Sequence, residues 1–547
     1  MLLMSTLTSA LAVDHDTIPG NAGVSYKQHP PEGEFDAIVI GSGMGGLASG
    51  ALLAQRAGKR VLVLERHYTA GGFTHVFHRP GYEWDVGVHY IGQMGAGAPM
   101  RALFDEITEG RLKWNAMPEV YDRIGIADRS YDFVSGADRF AERMREYFPR
   151  EGAAIRRYLA EVRDAARASR LFFAEKALPG ALARVAGPLM RRRFLGYARR
   201  TTGETLARIT GNRELIAVLT GQWGDYGLPP GQSSFGMHAV IAEHYLGGAF
   251  YPVGGASRIA ASIAPTIERA GGRILVGAEV EQILLNAARN RAVGVRMADG
   301  RELRAPLILS DAGAWNTYAR LLPPDAPGRA QALAEIERIP VSMGHLSLYV
   351  GLRRDPGEPE FGDTNLWIYP SADHDANLAR YAADPEQPFS GLFISFPSAK
   401  DPDFARRHPG RATIEVVTVV PYGWFERWAD TRWKRRGAEY DALKQRLAER
   451  LRAELERHVP AVRGKIDYCE LSTPLSTRQF VNYHQGQIYG PACTPERFQA
   501  RALSPRTTVR NLYLTGADAA MPGVTGALVG GALAASAVLR RNLMAAR

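Results

Sequence analysis

The stretch DAIVIGSGMGGLASGALLAQRAGKRVLVLER, residues 36–66, decides the fold of this chain. It opens with an apolar, β-branched run at Ala37–Ile40 that fits a buried parallel strand. A helix with one apolar side follows and ends near Gly58, and a second apolar run, Val61–Leu64, fits the neighbouring strand. Strand, helix and strand in this order predict an α/β fold built on a Rossmann-type parallel sheet.

Three glycines between the first strand and the helix have the GxGxxG spacing. Gly41 permits a tight turn, Gly43 lets a pyrophosphate reach the backbone, and Gly46 allows close packing of helix on strand. The helix N-terminus offers free N–H groups and a partial positive charge to that pyrophosphate. Glu65 ends the second strand, where it is placed to accept hydrogen bonds from adenosine ribose hydroxyls. These residues predict a dinucleotide site that fits either NAD or FAD.

The residues that follow favour FAD. Arg66 comes directly after Glu65, and the pair Gly71-Gly72 follows closely. The order GxGxxG, Glu, Gly-Gly resembles the FAD-binding start of the amine oxidase and phytoene desaturase superfamily. The segment YPVGGASRIAASIAPTIERAGGRILVGAEVEQILL, residues 251–285, resembles the same family, in which the backbone at Val280 would meet the adenine. The resemblance implies that these residues bind FAD.

The uncharged run Ala519–Leu539, near the end of the chain, has the length of a membrane-spanning helix. Gly and Ala dominate it, and Pro522 lies near its start, whereas a span favours Leu, Ile and Phe. We therefore predict a buried helix whose small residues let its backbone pack closely on the Rossmann sheet.

The residues before this helix resemble the closing motif of the same family. Gly516 and Asp518 follow a predicted strand at Leu512–Leu514. The resemblance implies that Asp518 binds the flavin ribityl chain. It also implies that the helix start, with Val524, Thr525 and Gly526, points its N–H groups at the flavin ring, where the helix dipole would stabilise negative charge.

Further motifs are spread over most of the chain and resemble the retinol saturase and carotenoid isomerase branch. They are GYEWDVGVHYIGQMG (81–95), GDYGLPP (224–230), STPLSTRQF (472–480) and GQIYGP (486–491). The resemblance implies an FAD-dependent oxidoreductase acting on carbon–carbon bonds of a long apolar lipid, either an unsaturated fatty acyl chain or a carotenoid-type polyene. No second GxGxxG fold for NADPH is seen, so desaturation is favoured, with a quinone, oxygen or an external reductant as electron partner.

Four other activities stay open at this stage. A redox-neutral polyene cis-trans isomerase and a saturase would both use reduced FAD. An amine oxidase would need an aromatic pair flanking the flavin. A flavin-bearing lipid-binding protein would have no turnover.

The separated FAD motifs predict how the domains are divided. The FAD-binding domain is expected at 30–110, 250–315 and 490–547, after a disordered leader at 1–29. Residues 111–249, mostly helical, and 316–489, with apolar and alternating runs typical of strands, would form an α+β substrate domain with a mainly antiparallel sheet and a helical, membrane-facing part.

Flavin chemistry on carbon needs an acid or base for the second hydrogen. Candidates for this role follow the motifs that the resemblance places beside the flavin or directly precede the Tyr251 segment. They are His89, Tyr90, Glu243, His244 and Tyr489. The sequence contains no metal-ligand cluster, so we predict no metal.

The net charge of +10 suggests an anionic partner, although only eight of the 67 basic residues are lysines, which indicates a GC-rich, bacterial coding sequence. Residues 177–203 hold six arginines and no acid, interleaved with apolar residues. This suits either an anionic membrane surface or a solvated basic face, and the resemblance favours the membrane. No nucleic-acid motif is present.

The two cysteines, Cys469 and Cys493, have neither metal-ligand nor CxxC spacing, which suits a reducing compartment. We expect a cytoplasmic protein associated peripherally with the inner face of the cell membrane. The oligomeric state stays open.

Overall fold

The computed structural model of this chain describes residues 22–354 and 361–544. The strands are β1 (Val24–Ser25), β2 (Ala37–Ile40), β3 (Val61–Glu65), β4 (Val76–Arg79), β5 (Tyr82–Asp85), β6 (Ile91–Gly92), β7 (Trp114–Ala116), β8 (Val120–Ile126), β9 (Arg129–Val134), β10 (Ala249–Pro252), β11 (Arg273–Val276), β12 (Val280–Leu285), β13 (Ala292–Met297), β14 (Glu302–Arg304), β15 (Ile308–Ser310), β16 (Gly344–Arg353), β17 (Asn365–Tyr369), β18 (Leu392–Ser395), β19 (Arg411–Val420), β20 (Ile466–Ser472) and β21 (Leu512–Leu514).

The helices are α1 (Met44–Ala57), α2 (Pro99–Thr108), α3 (Ala137–Tyr147), α4 (Gly152–Ala177), α5 (Gly180–Ala198), α6 (Thr202–Ala207), α7 (Arg213–Leu219), α8 (Phe235–Leu246), α9 (Ser257–Arg269), α10 (Ala314–Asn316), α11 (Arg329–Ile336), α12 (His374–Ala383), α13 (Pro397–Lys400), α14 (Phe404–Arg407), α15 (Ala438–His458), α16 (Pro474–Phe480) and α17 (Val524–Leu539). A π-helical turn, Thr317–Leu321, continues α10.

A parallel six-stranded sheet forms the first domain, in the order β1-β11-β3-β2-β15-β21. Its strands come from three separate parts of the chain, so the predicted assembly from discontinuous segments is observed. Val39 pairs with Val63 on one side and with Leu309 on the other, which places β2 in the middle of the sheet. The dinucleotide loop after β2 therefore lies at the centre of the carboxyl edge.

Two layers cover this sheet, because successive residues of its strands face opposite sides. Val39 and Val63 pack with α1, α2, α9 and α17, whereas Ile38 and Leu62 pack against the β12–β14 sheet and the segment around α10 and α11. The first domain therefore continues past residue 315, where the sequence predicted its boundary.

The sequence also predicted a disordered leader at 1–29. Residues 1–21 lie outside the described part of the chain. Val24 and Ser25 form β1 and pair in parallel with Leu275 and Val276 of β11. Strand β1 is thus an edge strand of the six-stranded sheet, and the leader prediction is wrong for these residues.

The uncharged stretch near the C-terminus forms α17, a buried helix that packs against α1. A Cβ added at Gly531 would lie 2.7 Å from the Ala48 Cβ, and one at Gly530 would lie 2.1 Å from the Gly516 carbonyl oxygen. Only glycine allows such a close approach. Across residues 22–354 and 361–544, no helix has both the length and the apolarity needed to cross a bilayer.

A seven-stranded sheet forms the second domain, in the order β20-β16-β19-β18-β17-β8-β9, and all its pairs are antiparallel except β17–β8. Strands β8 and β9 come from residues 111–249, which were predicted to be mostly helical, so both insertions build this sheet. One face of β16 and β19 packs on the buried leucines of α15. The opposite face carries His345, Ser347 and Val417 toward the first domain.

Helices α3–α8 form the helical part of the second domain. On α5, Leu182, Val185 and Leu189 are 57%, 85% and 76% exposed. Their spacing places them on one side of the helix. We call these three residues the α5 stripe.

Candidate cofactor and active site

The dinucleotide loop is built so tightly that side chains cannot replace its glycines. Gly41 has φ +97°, and a Cβ at Gly46 would lie 2.2 Å from the Gly41 carbonyl oxygen. A Cβ at Gly43 would lie 2.5 Å from Oδ2 of Asp311. Gly41 and Gly43 line a cavity of about 440 Å³, which we call the flavin cavity.

Glu65 lies at the carboxyl end of β3, where three hydrogen bonds fix its carboxylate. Its Oε2 accepts from Ser42 N (2.9 Å) and Ser42 Oγ (2.7 Å), and Oε1 accepts from His67 N (2.7 Å). A carboxylate has about four acceptor positions, so ligand hydroxyls can still bind to it. Arg66 donates from Nη1 to the Gln479 carbonyl (3.0 Å), and both residues 65 and 66 line the cavity.

The second glycine pair packs directly on the dinucleotide loop. Gly71 donates its N–H to Ser42 Oγ (3.1 Å), and a Cβ at Gly72 would lie 2.9 Å from the Gly43 Cα. Gly71, Gly72 and Val280 all line the flavin cavity.

Asp518 also lines the cavity and has one unused oxygen. Its Oδ2 accepts from the Ala314 N–H (2.7 Å), whereas the buried Oδ1 has no partner in the described part of the chain. Burial raises the pKa of Asp518, because the charged form loses water there. A ligand hydroxyl that donates to Oδ1 would satisfy it.

The start of α17 also reaches the cavity. Gly523 and Val524 line it, whereas Thr525 and Gly526 do not. A Cβ at Gly526 would lie 2.2 Å from the Met521 carbonyl oxygen, so this glycine is needed for the tight turn into the helix. Gly516 is also outside the lining, and a Cβ there would collide with Asp311 Oδ1.

Asp311 is a cavity residue that the sequence reasoning did not assign. It directly follows β15, beside β2, and its carboxylate lies among Gly41, Gly43 and Gly516. Burial raises the pKa of Asp311 to about 8, although the Gly46 N–H stabilises the charged form. The signal was an acid at the carboxyl end of a strand in the cofactor sheet.

These residues fit FAD. The cofactor carries hydroxyls on its ribose and its ribityl chain, and acceptors are present for both, at Glu65 and at the unpaired oxygen of Asp518. Its pyrophosphate needs N–H donors and bare backbone, which the loop before α1 provides. Glu65 and Asp518 would hold the hydroxyl groups, and the loop at Gly43 would hold the phosphates.

Two of the five catalytic candidates, His89 and Tyr489, line the flavin cavity. Tyr489 donates its hydroxyl to the Gly224 carbonyl (3.0 Å), which holds the ring in place. The Nδ1 of His89 lies 3.1 Å from Oε2 of Glu415, a distance short enough for a hydrogen bond. The angle between the groups is unfavourable in this conformation, so neither atom has an aligned hydrogen-bond partner among the described residues.

Tyr90 does not line the cavity. It is buried in the apolar core of the second domain, where its hydroxyl donates to Asp122 (2.8 Å) and Asp225 (3.1 Å). Asp122 also accepts from the side chains of Gln222, Asn365 and Trp367. Tyr90 is therefore part of a buried polar network.

Glu243 and His244 on α8 do not line the cavity either. The Nε2 of His244 accepts from the Gly92 N–H (2.8 Å), which ties α8 to β6. Glu243 is half-buried; burial raises its pKa, and nearby Arg163, Arg167 and Arg170 oppose that effect. The structure therefore does not bring these two candidates to the flavin cavity, because His244 is bonded to β6 and Glu243 lies near arginines of α4.

Glu415 and Lys400 were also not predicted, and both are buried beside His89. The Nζ of Lys400 donates to the His89 carbonyl (2.8 Å) and to Ser395 Oγ (2.7 Å). Burial raises the pKa of the Glu415 carboxyl to about 8. Burial and the positive charge of Lys400 together lower the pKa of His89 to about 3. Burial therefore favours the protonated carboxyl of Glu415 and the neutral imidazole of His89.

Comparison with known proteins assigns this arrangement to a family. The family model described as flavin containing amine oxidoreductase matches residues 44–539. All-trans-retinol 13,14-reductase of Danio rerio is 36% identical over 528 residues, covering 93% of this chain and 87% of the relative. Prolycopene isomerase 2, chloroplastic, of an Oncidium hybrid cultivar is 27% identical over 510 residues, covering 90% and 81%.

Among solved structures, cyclohexylamine oxidase from Brevibacterium oxydans has the same fold. It aligns with a TM-score of 0.57 over 93% of this chain and 99% of that one, at 16% identity. The predicted resemblance is confirmed, and FAD is the cofactor. The chain belongs to the flavin containing amine oxidoreductase family, and its relatives within that family include retinol saturases and carotenoid isomerases.

Proposed function

We propose that this protein is an FAD-dependent saturase that reduces a carbon–carbon double bond in a long polyene lipid. The sequence favoured the opposite direction, desaturation, because no NADPH domain is seen. The relatives support the saturase alternative, since a retinol 13,14-reductase is 36% identical to this chain and a prolycopene isomerase is 27% identical. A reductant outside this chain would then supply the electrons, in place of oxygen or a quinone as acceptor.

Reduction of a double bond adds two hydrogens, and bound FAD in its reduced form supplies one of them together with the electron pair. The chain must supply the other as a proton. Burial favours the protonated form of Glu415, and His89 contacts that carboxyl and lines the flavin cavity. A small rotation of the imidazole would align the 3.1 Å contact, so a proton could pass from Glu415 through His89 to the substrate carbon.

The contact between His89 and Glu415 is the observation that carries this proposal. A desaturase needs a base that takes a proton, which a protonated carboxyl cannot do. Lys400 stabilises the deprotonated form of Glu415, so the carboxylate left after proton transfer has a nearby cation. The lining of Val417, Tyr489 and Phe73 provides apolar surface for a lipid chain.

The experiment compares wild type with Glu415→Gln, which keeps the shape but cannot give up a proton. Holoprotein reduced by dithionite under anaerobic conditions is mixed with all-trans-retinol, and dihydro product is measured from pH 6 to 10. We expect the wild-type rate to fall as pH rises through about 8, and the variant to be slow at every pH. Glu456→Gln is the control, because Glu456 is a carboxyl paired with Arg452 that lines neither the flavin cavity nor the cavity adjoining it.

A pH-independent rate, or full activity in Glu415→Gln, would refute the proposed proton path. A product of unchanged mass but altered double-bond geometry would indicate the redox-neutral isomerase. Ligand binding without any product would indicate a lipid-binding flavoprotein.

We further propose that the protein takes its lipid from the inner face of the cell membrane. The α5 stripe exposes apolar side chains beside Arg184 and Arg192, which are exposed and suit an anionic surface. Arg191 is less suited, because it is paired with the buried Glu175 (2.7 Å). The basic segment at 177–203 therefore contains both structural and surface arginines.

A further inference from the structure

A second cavity, of about 510 Å³, adjoins the flavin cavity. The two share wall residues, among them Phe73, His75, Val86, His345 and Phe480. A ligand longer than the flavin cavity could therefore extend from one into the other. We call this second cavity the side chamber.

Aromatic side chains form much of the side chamber and continue to the surface. Phe77, Tyr349 and Tyr440 lie in its wall, and Tyr68 and Trp433 are 66% and 43% exposed at its edge. Exposed aromatic rings at the edge of a cavity suit a ligand with an apolar chain. Burial lowers the pKa of both His75 and His345 to about 4, so neither of these two imidazoles is charged at neutral pH.

The charged residues of the side chamber are mainly basic. Arg79, Lys434, Arg436 and Lys444 face only two acids, Asp441 and Glu470. Glu470 is paired with Arg79 at 2.8 Å. Arg436 donates to the backbone carbonyls of Trp428 and Thr431, both at 3.0 Å.

Lys444 differs from these residues. Its ammonium makes no hydrogen bond or ion pair in the described part of the chain, although it is partly buried in the chamber wall. Burial lowers the pKa of Lys444, whereas the charges of Glu470 and Asp441 raise it. A partly desolvated cation without a partner costs free energy that a bound anion would recover.

We propose that the side chamber binds the polar end of the lipid substrate, and that this end is a carboxylate held by Lys444. The chain of the lipid would run past His345 and Phe73 into the flavin cavity. This inference deepens the proposed function, because it makes the substrate an unsaturated fatty or isoprenoid acid. A pure hydrocarbon would leave Lys444 without a partner and would cover it further from water.

Binding can be tested without turnover, using oxidised holoprotein. The probes are a fluorescent C18 tetraenoic acid and its methyl ester, which have the same chain and differ in charge. At pH 7.5 and below the micelle concentration, we expect the acid to bind about five- to tenfold more tightly than the ester. In Lys444→Met the affinity for the acid should fall to that for the ester, whereas the affinity for the ester should be unchanged.

Lys444→Arg should keep the preference for the acid, because it restores a cation at this position. Arg446→Gln is the control, since it removes a positive charge from the same helix outside the chamber. Equal binding of acid and ester to wild type, an unchanged preference in Lys444→Met, or no binding of either probe would refute the proposal. A protein that reduces no lipid could still bind the acid more tightly than the ester, so the two proposals can fail separately.

Discussion

Asp518 gives the sharpest test of the cofactor site, because its two oxygens have different partners. Oδ2 accepts from the Ala314 N–H at 2.7 Å, and Oδ1 is buried without a partner among residues 22–354 and 361–544. A hydrogen bond from a ligand hydroxyl to a carboxylate contributes about 1.5–3 kcal/mol. Its loss in Asp518→Asn or Asp518→Ala should weaken FAD binding by roughly 10- to 150-fold, since 1.4 kcal/mol corresponds to tenfold.

The two variants separate binding from folding. Asp518→Asn keeps an oxygen that accepts from Ala314, so the melting temperature of its apoprotein should equal that of wild type. Asp518→Ala leaves that buried N–H without an acceptor, which costs about 1–3 kcal/mol, so its apoprotein should melt earlier. FAD affinity is measured by the quenching of flavin fluorescence as apoprotein is added. Wild-type affinity in Asp518→Asn would refute the assigned ribityl contact.

Three other predictions follow from the same structure. Gly43→Ala should lose FAD. Adding Asp311→Ala should restore the melting temperature, because it removes the oxygen that lies 2.5 Å from the new Cβ, but it should not restore the flavin content. A double variant with full flavin would contradict the pyrophosphate assignment. The stability of wild type relative to Glu415→Gln should fall as pH rises from about 4.5 to about 8, because folded Glu415 keeps a proton that the unfolded chain has released. A difference in melting temperature that does not change with pH would contradict the raised pKa. Replacing the three residues of the α5 stripe by serine should reduce the amount of protein that sediments with anionic vesicles, and alkaline carbonate should strip wild type from membranes. Unchanged sedimentation of the serine variant would show that α5 is an ordinary exposed helix.

The cofactor domain could be predicted from sequence because its signals are local. Strand β2 at Ala37–Ile40 and strand β21 at Leu512–Leu514 have the predicted bounds, and Gly58 ends α1 with φ +58°. The composition of α17 also sufficed, since a helix rich in Gly and Ala fits against another backbone more readily than against lipid.

The catalytic surroundings could not be predicted, because residues distant in sequence form them. His89 meets Glu415 only because β19 pairs with β16 in the second sheet and brings its polar face over the flavin cavity. A lone acid in the apolar run ATIEVVTVV was a signal for Glu415, but nothing local identified its partner. Tyr90 follows His89 in sequence, but it is buried in the core of the second domain and does not line the flavin cavity.

The central claim, reduction of a lipid double bond by FAD-bound protein, is tested most directly by a single turnover. Reduced holoprotein and all-trans-retinol are mixed anaerobically in D₂O, flavin absorbance at 450 nm is followed, and the product is analysed by mass spectrometry. We expect one flavin to be oxidised for each product molecule formed. The product should carry two added hydrogens, at least one of them deuterium. The experiment is repeated with unsaturated fatty acids and with a total membrane lipid extract. Flavin that stays reduced, and lipids whose mass is unchanged in every case, would contradict the claim that the protein reduces a lipid double bond.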